Sequence, residues 1–198
     1  THDVEAFGLA ADVAEPGATE RFANEAAKAL GGIDILVNNV GGTSGSRELL
    51  TSTDADWRET FDLNLFHAVS ATRSAVPHME IRGGGSIVTI SSISGWKPSD
   101  RGAQYGATKA AEMFLAGALA WELADKNIRV NTVCPGSLFF VGGGWERFKN
   151  ENPELYETFR TREFPAQRLG TDFEVADVVV FLASDRANWM NGASIPVD

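Results

Sequence analysis

Residues 83–92 read Gly-Gly-Gly-Ser-Ile-Val-Thr-Ile-Ser-Ser. Ser86–Ser91 is a short β-branched run closed off by glycine on one side and a Ser-Ser step on the other. A strand with so little polar alternation is one covered on both faces, as in parallel sheets flanked by helices. Working outward, the same kind of run recurs at Ile33–Asn38, Ile128–Cys134 and Ala193–Val197, and Phe7–Val13 also reads as a strand. Between these runs the apolar period changes to that of a helix. Ala18–Leu30 follows Pro16, which suits a helix's first turn, and ends at Gly31-Gly32. Asp54–Met79 carries Trp57, Phe61, Leu65, Val69 and Val76. Gln104–Lys126 is a long helix with Asn127 as its cap, and Thr171–Ser184 opens with Thr171 or Asp172 as N-cap and Glu174 nearby. Strand–helix alternation predicts an α/β fold: a Rossmann-like, doubly wound, mostly parallel sheet. Residues 1–198 read as one domain, with 138–167 an irregular or partly helical substrate loop.

Composition narrows the function. Seventeen Lys and Arg face 27 Asp and Glu, a net charge of −10. That excludes a general nucleic-acid binder and argues against docking on an anionic membrane. The single cysteine, Cys134, excludes an internal disulfide framework, and His2, His67 and His78 lack metal-ligand spacing and read as surface or helix histidines. No apolar run approaches a membrane span, and no signal-peptide layout is present. A cytoplasmic setting is expected.

Ligands of doubly wound sheets bind beyond the C-terminal strand ends. Three segments fall there: Asn38–Gly42, Ser91–Gly95 and Pro135–Leu138. Tyr105 and Lys109 lie four apart, one turn on one helix face. A fixed cation beside a phenol favours phenolate and lowers its pKa from about 10. Such a tyrosine exchanges a proton with a carbonyl or alcohol oxygen, and Ser92 can hydrogen-bond the same oxygen. A surface helix pair is the alternative for Tyr-x-x-x-Lys taken alone.

The whole set of Asn38-Asn39-Val40-Gly41, Asn64 within Leu-Asn-Leu, Ser92, Tyr105, Lys109, and Asn131 ahead of Pro135-Gly136 resembles the short-chain dehydrogenase/reductase family. The resemblance covers essentially all 198 residues, including the thirteen-residue step from Ser92 to Tyr105. It implies hydride transfer between NAD or NADP and a small-molecule carbonyl/alcohol pair. Tyr105 would be the acid/base, Lys109 would lower its pKa and hold the nicotinamide ribose, Ser92 would orient the substrate oxygen, and Asn64 would hold a relay water. Asp12 and Val13 would lie near adenine. Asn38, Val40, Gly41, Pro135, Gly136 and the backbone of Leu138 would also face the cofactor. Ser94 and Trp96 would meet substrate beside Ser92 and Tyr105. The resemblance also implies a homodimer or homotetramer through the helices at 54–79 and 104–126.

Three departures stand out. The family's glycine-rich Thr-Gly-x-x-x-Gly-x-Gly turn is not among these residues. Without the two strands that precede the family's third, Phe7–Val13 lacks a partner and Ile33–Asn38 becomes an edge. The expectation is that these residues belong to a longer protein, which an intact mass near 21.3 kDa would refute. The alternative is a non-catalytic remnant acting as a binding or assembly protein. Phe140 stands where many relatives carry Thr, and the chain stops at Asp198, where relatives often continue with a Gly pair. The aromatics of 138–164 (Phe139, Phe140, Trp145, Phe148, Tyr156, Phe159 and Phe164) either form a lid hinged at Gly142–Gly144 or simply pack that segment.

Overall fold

The computed structural model describes residues 4–198. Four strands, β1 (Ile35–Asn38), β2 (Gly85–Ile90), β3 (Ile128–Pro135) and β4 (Ser194–Val197), form one sheet in that spatial order. All three pairings are parallel. The side chains of β2 alternate between two cores. Ile87 points to a cluster with Ala75, Met79, Ala116, Ala120 and Val130, and Val88 to one with Val133, Val175 and Leu182. Both β2 faces are buried, hence the unbroken apolar run.

On the first face lie α1 (Ala18–Leu30), α3 (His67–Arg82) and α4 (Ala103–Glu122); α7 (Asp172–Ala183) covers the second. Three expected ends are explained by caps. Thr171 accepts from Glu174 N–H while Glu174 returns to the Thr171 N–H, a reciprocal capping box. Asn127 takes the left-handed conformation at φ 57°, after a short 3₁₀ turn at Ala124–Lys126. Gly31 ends α1 the same way at φ 79°. Pro16, by contrast, lies outside α1, whose N-cap is Gly17. The long 54–79 helix is divided: α2 (Asp54–Phe61), a π-turn at Asp62–Phe66, then α3. The loop after β3 is more regular than expected, with α5 (Gly144–Glu151) and α6 (Pro153–Glu163).

Phe7–Val13 is not a strand. It has no ladder, and the Phe7 ring rests on Phe22 of α1, with centroids 6.5 Å apart. The reason is the missing partner. An apolar groove of about 630 Å³ separates this segment from β1, where the strand order 3-2-1-4 places two further strands. As expected, β1 is the sheet edge, and Ile35 and Val37 are 50% and 41% exposed. Among the described residues, no helix is long and apolar enough to cross a membrane.

Candidate active site

Two glycines let the Ser92 segment lie against α4. A Cβ on Gly95 would come within 2.9 Å of the Ala110 backbone, and one on Gly106 within 2.9 Å of the Ser94 carbonyl. This close approach brings Ser92, at the β2 end, beside Tyr105 and Lys109 on the first turns of α4. The Ser92 hydroxyl accepts the Ser94 N–H at 3.1 Å. The Lys109 ammonium lies 5.5 Å from the Tyr105 ring centroid, so both side chains share one side of the helix. Its Nζ donates to the Ile90 carbonyl at 2.9 Å and to Glu112 Oε1 at 3.0 Å.

The Tyr105 phenol departs from expectation. Its pKa is pushed above the ordinary 10, chiefly by burial. Hydrogen bonding to Ser92 pulls it down, the Glu112 carboxylate pushes it up and the Arg47 guanidinium pulls it down. The expected net lowering is not realised, because burial outweighs the groups that pull the phenol down. Glu112, which the sequence reading passed over, is the buried partner. Burial drives its carboxyl pKa up to about 7 despite Lys109. The native state therefore holds a proton that the unfolded chain, near 4.5, releases. Stability from this group is full below the unfolded value and is lost as pH rises through the folded one. Urea unfolding followed from about pH 5 to pH 8 should show this loss in the wild type. Glu112→Gln should flatten it, and an identical pH dependence in the variant would refute the assignment.

Asn64 is fully buried within the π-turn. Its Nδ2 donates to the Thr60 carbonyl, one turn earlier, at 2.6 Å. The same nitrogen donates to the Gly42 carbonyl at 2.7 Å, and Oδ1 accepts the Gly42 N–H at 3.1 Å. Both amide donors are spent, so the side chain positions the Gly41–Gly42 peptide instead of presenting donors to a relay water. Gly41 has to be small, since a Cβ there would lie 2.6 Å from Asn64 Oδ1 and 3.1 Å from Lys109 Nζ.

Other expected residues divide. Asn38 turns its amide nitrogen inward, Nδ2 reaching Thr72 and Thr89 at 3.3 and 3.5 Å, and braces β1 to α3 and β2. Asp12 caps its own turn by accepting the Ala14 N–H. Val13 and Val40 line the apolar groove together. Ser94, Trp96 and Tyr105 share a pocket of about 270 Å³ with Arg47. Pro135 ends β3, and Gly136 N–H donates to the Val197 carbonyl. Asn131 ties β3 to the loop before β4 through Met190 and Ala193. His67 is no surface residue. It is 5% exposed, neither ring nitrogen has a partner among the described residues, and burial together with Lys109 lowers its pKa. His78 is half-buried and meets Asn24, whereas His2 lies outside the described residues. Cys134 is buried, its thiol pushed up to about 11 chiefly by burial. Phe139, Trp145, Phe148, Tyr156, Phe159 and Phe164 pack on one another, with Trp145 stacked on Phe159 at 4.9 Å, while Phe140 stays partly exposed outside this cluster.

The nicotinamide end of a dinucleotide fits these groups. The bridge between Leu138 and Gly170 runs through Phe139 N–H and the Ser137 carbonyl. The peptide groups of Leu138 itself thus face away from Gly170 and are not used by this bridge. Lys109 keeps one donor unused, beside Gly41.

Comparison with known proteins identifies the family. The family model described as enoyl-(acyl carrier protein) reductase spans residues 1–198. The chain belongs to the short-chain dehydrogenase/reductase family. Human dehydrogenase/reductase SDR family member 4 is 36% identical over 90% of the chain, which spans 63% of that relative's length. The 7α-hydroxysteroid dehydrogenase of Escherichia coli K12 is 32% identical over 98% of the chain and 73% of its own. Among solved short-chain dehydrogenases, 7α-hydroxysteroid dehydrogenase complexed with NADH and 7-oxo glycochenodeoxycholic acid superposes with a TM-score of 0.87. It is 32% identical and covers 98% of this chain and 73% of that one. ElxO with NADP bound gives 0.86 at 29% identity, covering 94% and 74%. These likenesses extend to the doubly wound fold.

Proposed function

We propose that this short-chain dehydrogenase/reductase transfers a hydride between NAD or NADP and a small-molecule carbonyl or secondary alcohol, with Tyr105 as acid/base. The observation that carries this is the convergence of Ser92, Tyr105 and Lys109 at the strand ends, with the Lys109 ammonium against the Tyr105 ring. The nicotinamide, when bound, supplies the hydride chemistry, and the protein supplies position and field. In reduction, the Tyr105 hydroxyl gives its proton to the carbonyl oxygen while Ser92 hydrogen-bonds that oxygen. Lys109 faces the ribose with its remaining donor. Asn64 holds Gly41–Gly42 in place, and the Leu138 peptide meets the carboxamide. Trp96 and Ser94 border the substrate, and the helical pair at 138–167 covers it, hinged at Gly142–Gly144. Relatives that hold NADH or NADP support the cofactor class.

A homodimer or homotetramer belongs to the same reading, supported by Phe114 and Trp121, exposed on the outer face of α4 (82% and 88%). A cytoplasmic setting does too. The protein at its natural full length, assayed on a panel of ketones and alcohols with both cofactors, should oxidise or reduce at least one class. No turnover with either cofactor, despite measurable cofactor binding, would leave the non-catalytic reading standing.

A further inference from the structure

Glu112 lies three residues beyond Lys109 on α4, with 2% of its side chain exposed. One oxygen holds the ammonium, and the other has no partner among the described residues. A carboxylate is expensive to bury, and half-satisfying it adds to the cost. Its surroundings do not otherwise call for charge. Ser91 at the end of β2 and Cys134 on β3 face it with neutral groups, and Tyr105 stands two turns earlier on α4. The cations in reach are Lys109 itself and Arg47, which faces Tyr105 from the loop after β1, while His67 of α3 faces Lys109 as a neutral imidazole.

Seen from the Tyr105 hydroxyl, an isolated ammonium is a full positive charge. An ammonium with a carboxylate 3.0 Å away is a dipole, whose field falls off faster and depends on its orientation. The Ile90 carbonyl and Glu112 Oε1 also take two of the three N–H donors, leaving one, next to Gly41, for anything bound there.

We propose that Glu112 is a positioning residue for the Tyr105–Lys109 pair: its buried carboxylate clamps the ammonium against the Ile90 carbonyl and sets how much of that cation's field reaches the phenol. Its consequence for turnover rests on the acid/base reading of Tyr105, whereas the coupling itself can be read without turnover. Acting through Lys109, Glu112 would touch neither substrate nor cofactor.

The chain has only two tyrosines, Tyr105 and Tyr156. With tyrosine labelled with ¹³C at Cζ, the resonance that disappears in Tyr105→Phe is that of Tyr105, however many other tyrosines the natural full-length protein carries. Glu112→Gln, which keeps the shape and an acceptor but removes the charge, should lower the Tyr105 ionisation midpoint by about one pH unit. Glu112→Asp, which restores the charge, should recover most of that shift. Should both variants fail to fold, the wild-type Tyr105 resonance still decides, because it should carry a smaller second inflection where Glu112 titrates, at about 7. A Tyr105 midpoint unchanged in Glu112→Gln overturns the proposal, as does a single-step wild-type curve. In turnover, the pH profile of alcohol oxidation should move down by the same amount in Glu112→Gln. A shifted resonance in a protein without turnover would leave the clamp standing and remove the acid/base reading; turnover with an unshifted resonance would do the reverse.

Discussion

Tyr105→Phe is expected to lower kcat by about a thousandfold, within the range that a positioned proton donor contributes. The change removes one hydroxyl and leaves the ring beside Lys109 in place, so the cation–aromatic contact at 5.5 Å survives. Lys109 keeps its bonds to Ile90 and Glu112, the Leu138 peptide is untouched, and Asn64 still holds Gly42. Cofactor affinity should accordingly stay within about twofold, read by fluorescence titration, because no proposed ribose or carboxamide contact is lost. Loss of kcat without loss of binding identifies a group that acts on the reacting oxygen. Turnover near the wild-type rate would remove Tyr105 from the chemistry.

Lys109→Met should have the largest effect on stability. It deletes the cation and leaves Glu112 buried with neither oxygen paired to a charge. Breaking a buried pair from one side costs about 3–5 kcal/mol, whereas replacing both partners with apolar groups of similar volume is often close to neutral. Urea unfolding at about pH 8 should therefore show a loss of that order for Lys109→Met and recovery of most of it in Lys109→Met/Glu112→Met. The penalty should shrink towards about pH 6, because a carboxyl already pushed up to about 7 takes a proton more readily once the ammonium is gone. Both variants should lose turnover through the missing ammonium. A double variant no more stable than Lys109→Met would show that the two side chains do not act as a pair.

The fold was legible where local pattern and burial agree. The run at 86–91 announced a strand covered on both faces, and β2 sits mid-sheet with a core on each side. Thr171 with Glu174, Asn127, and the Gly31-Gly32 stop were each readable because a cap is satisfied by atoms within a few residues. Phe7–Val13 misled for the complementary reason. Its composition suits a strand, but a strand is a relation between two segments, and no described segment pairs with it.

The site shows the same division. Spacing by itself put Tyr105 and Lys109 one turn apart on one helix face, and the resemblance to the family added Ser92 at the strand end. Tertiary structure alone decided what their surroundings do to them. The carbonyls of Thr60 and Gly42 took the donors of Asn64, and Asn38 turned inward to Thr72 and Thr89. Burial raised the Tyr105 phenol, and an unremarked glutamate took the charge of Lys109. Spacing along a chain sets which groups are neighbours. The proton affinity of a group follows from its distance to water and to every charge around it, and packing supplies those distances.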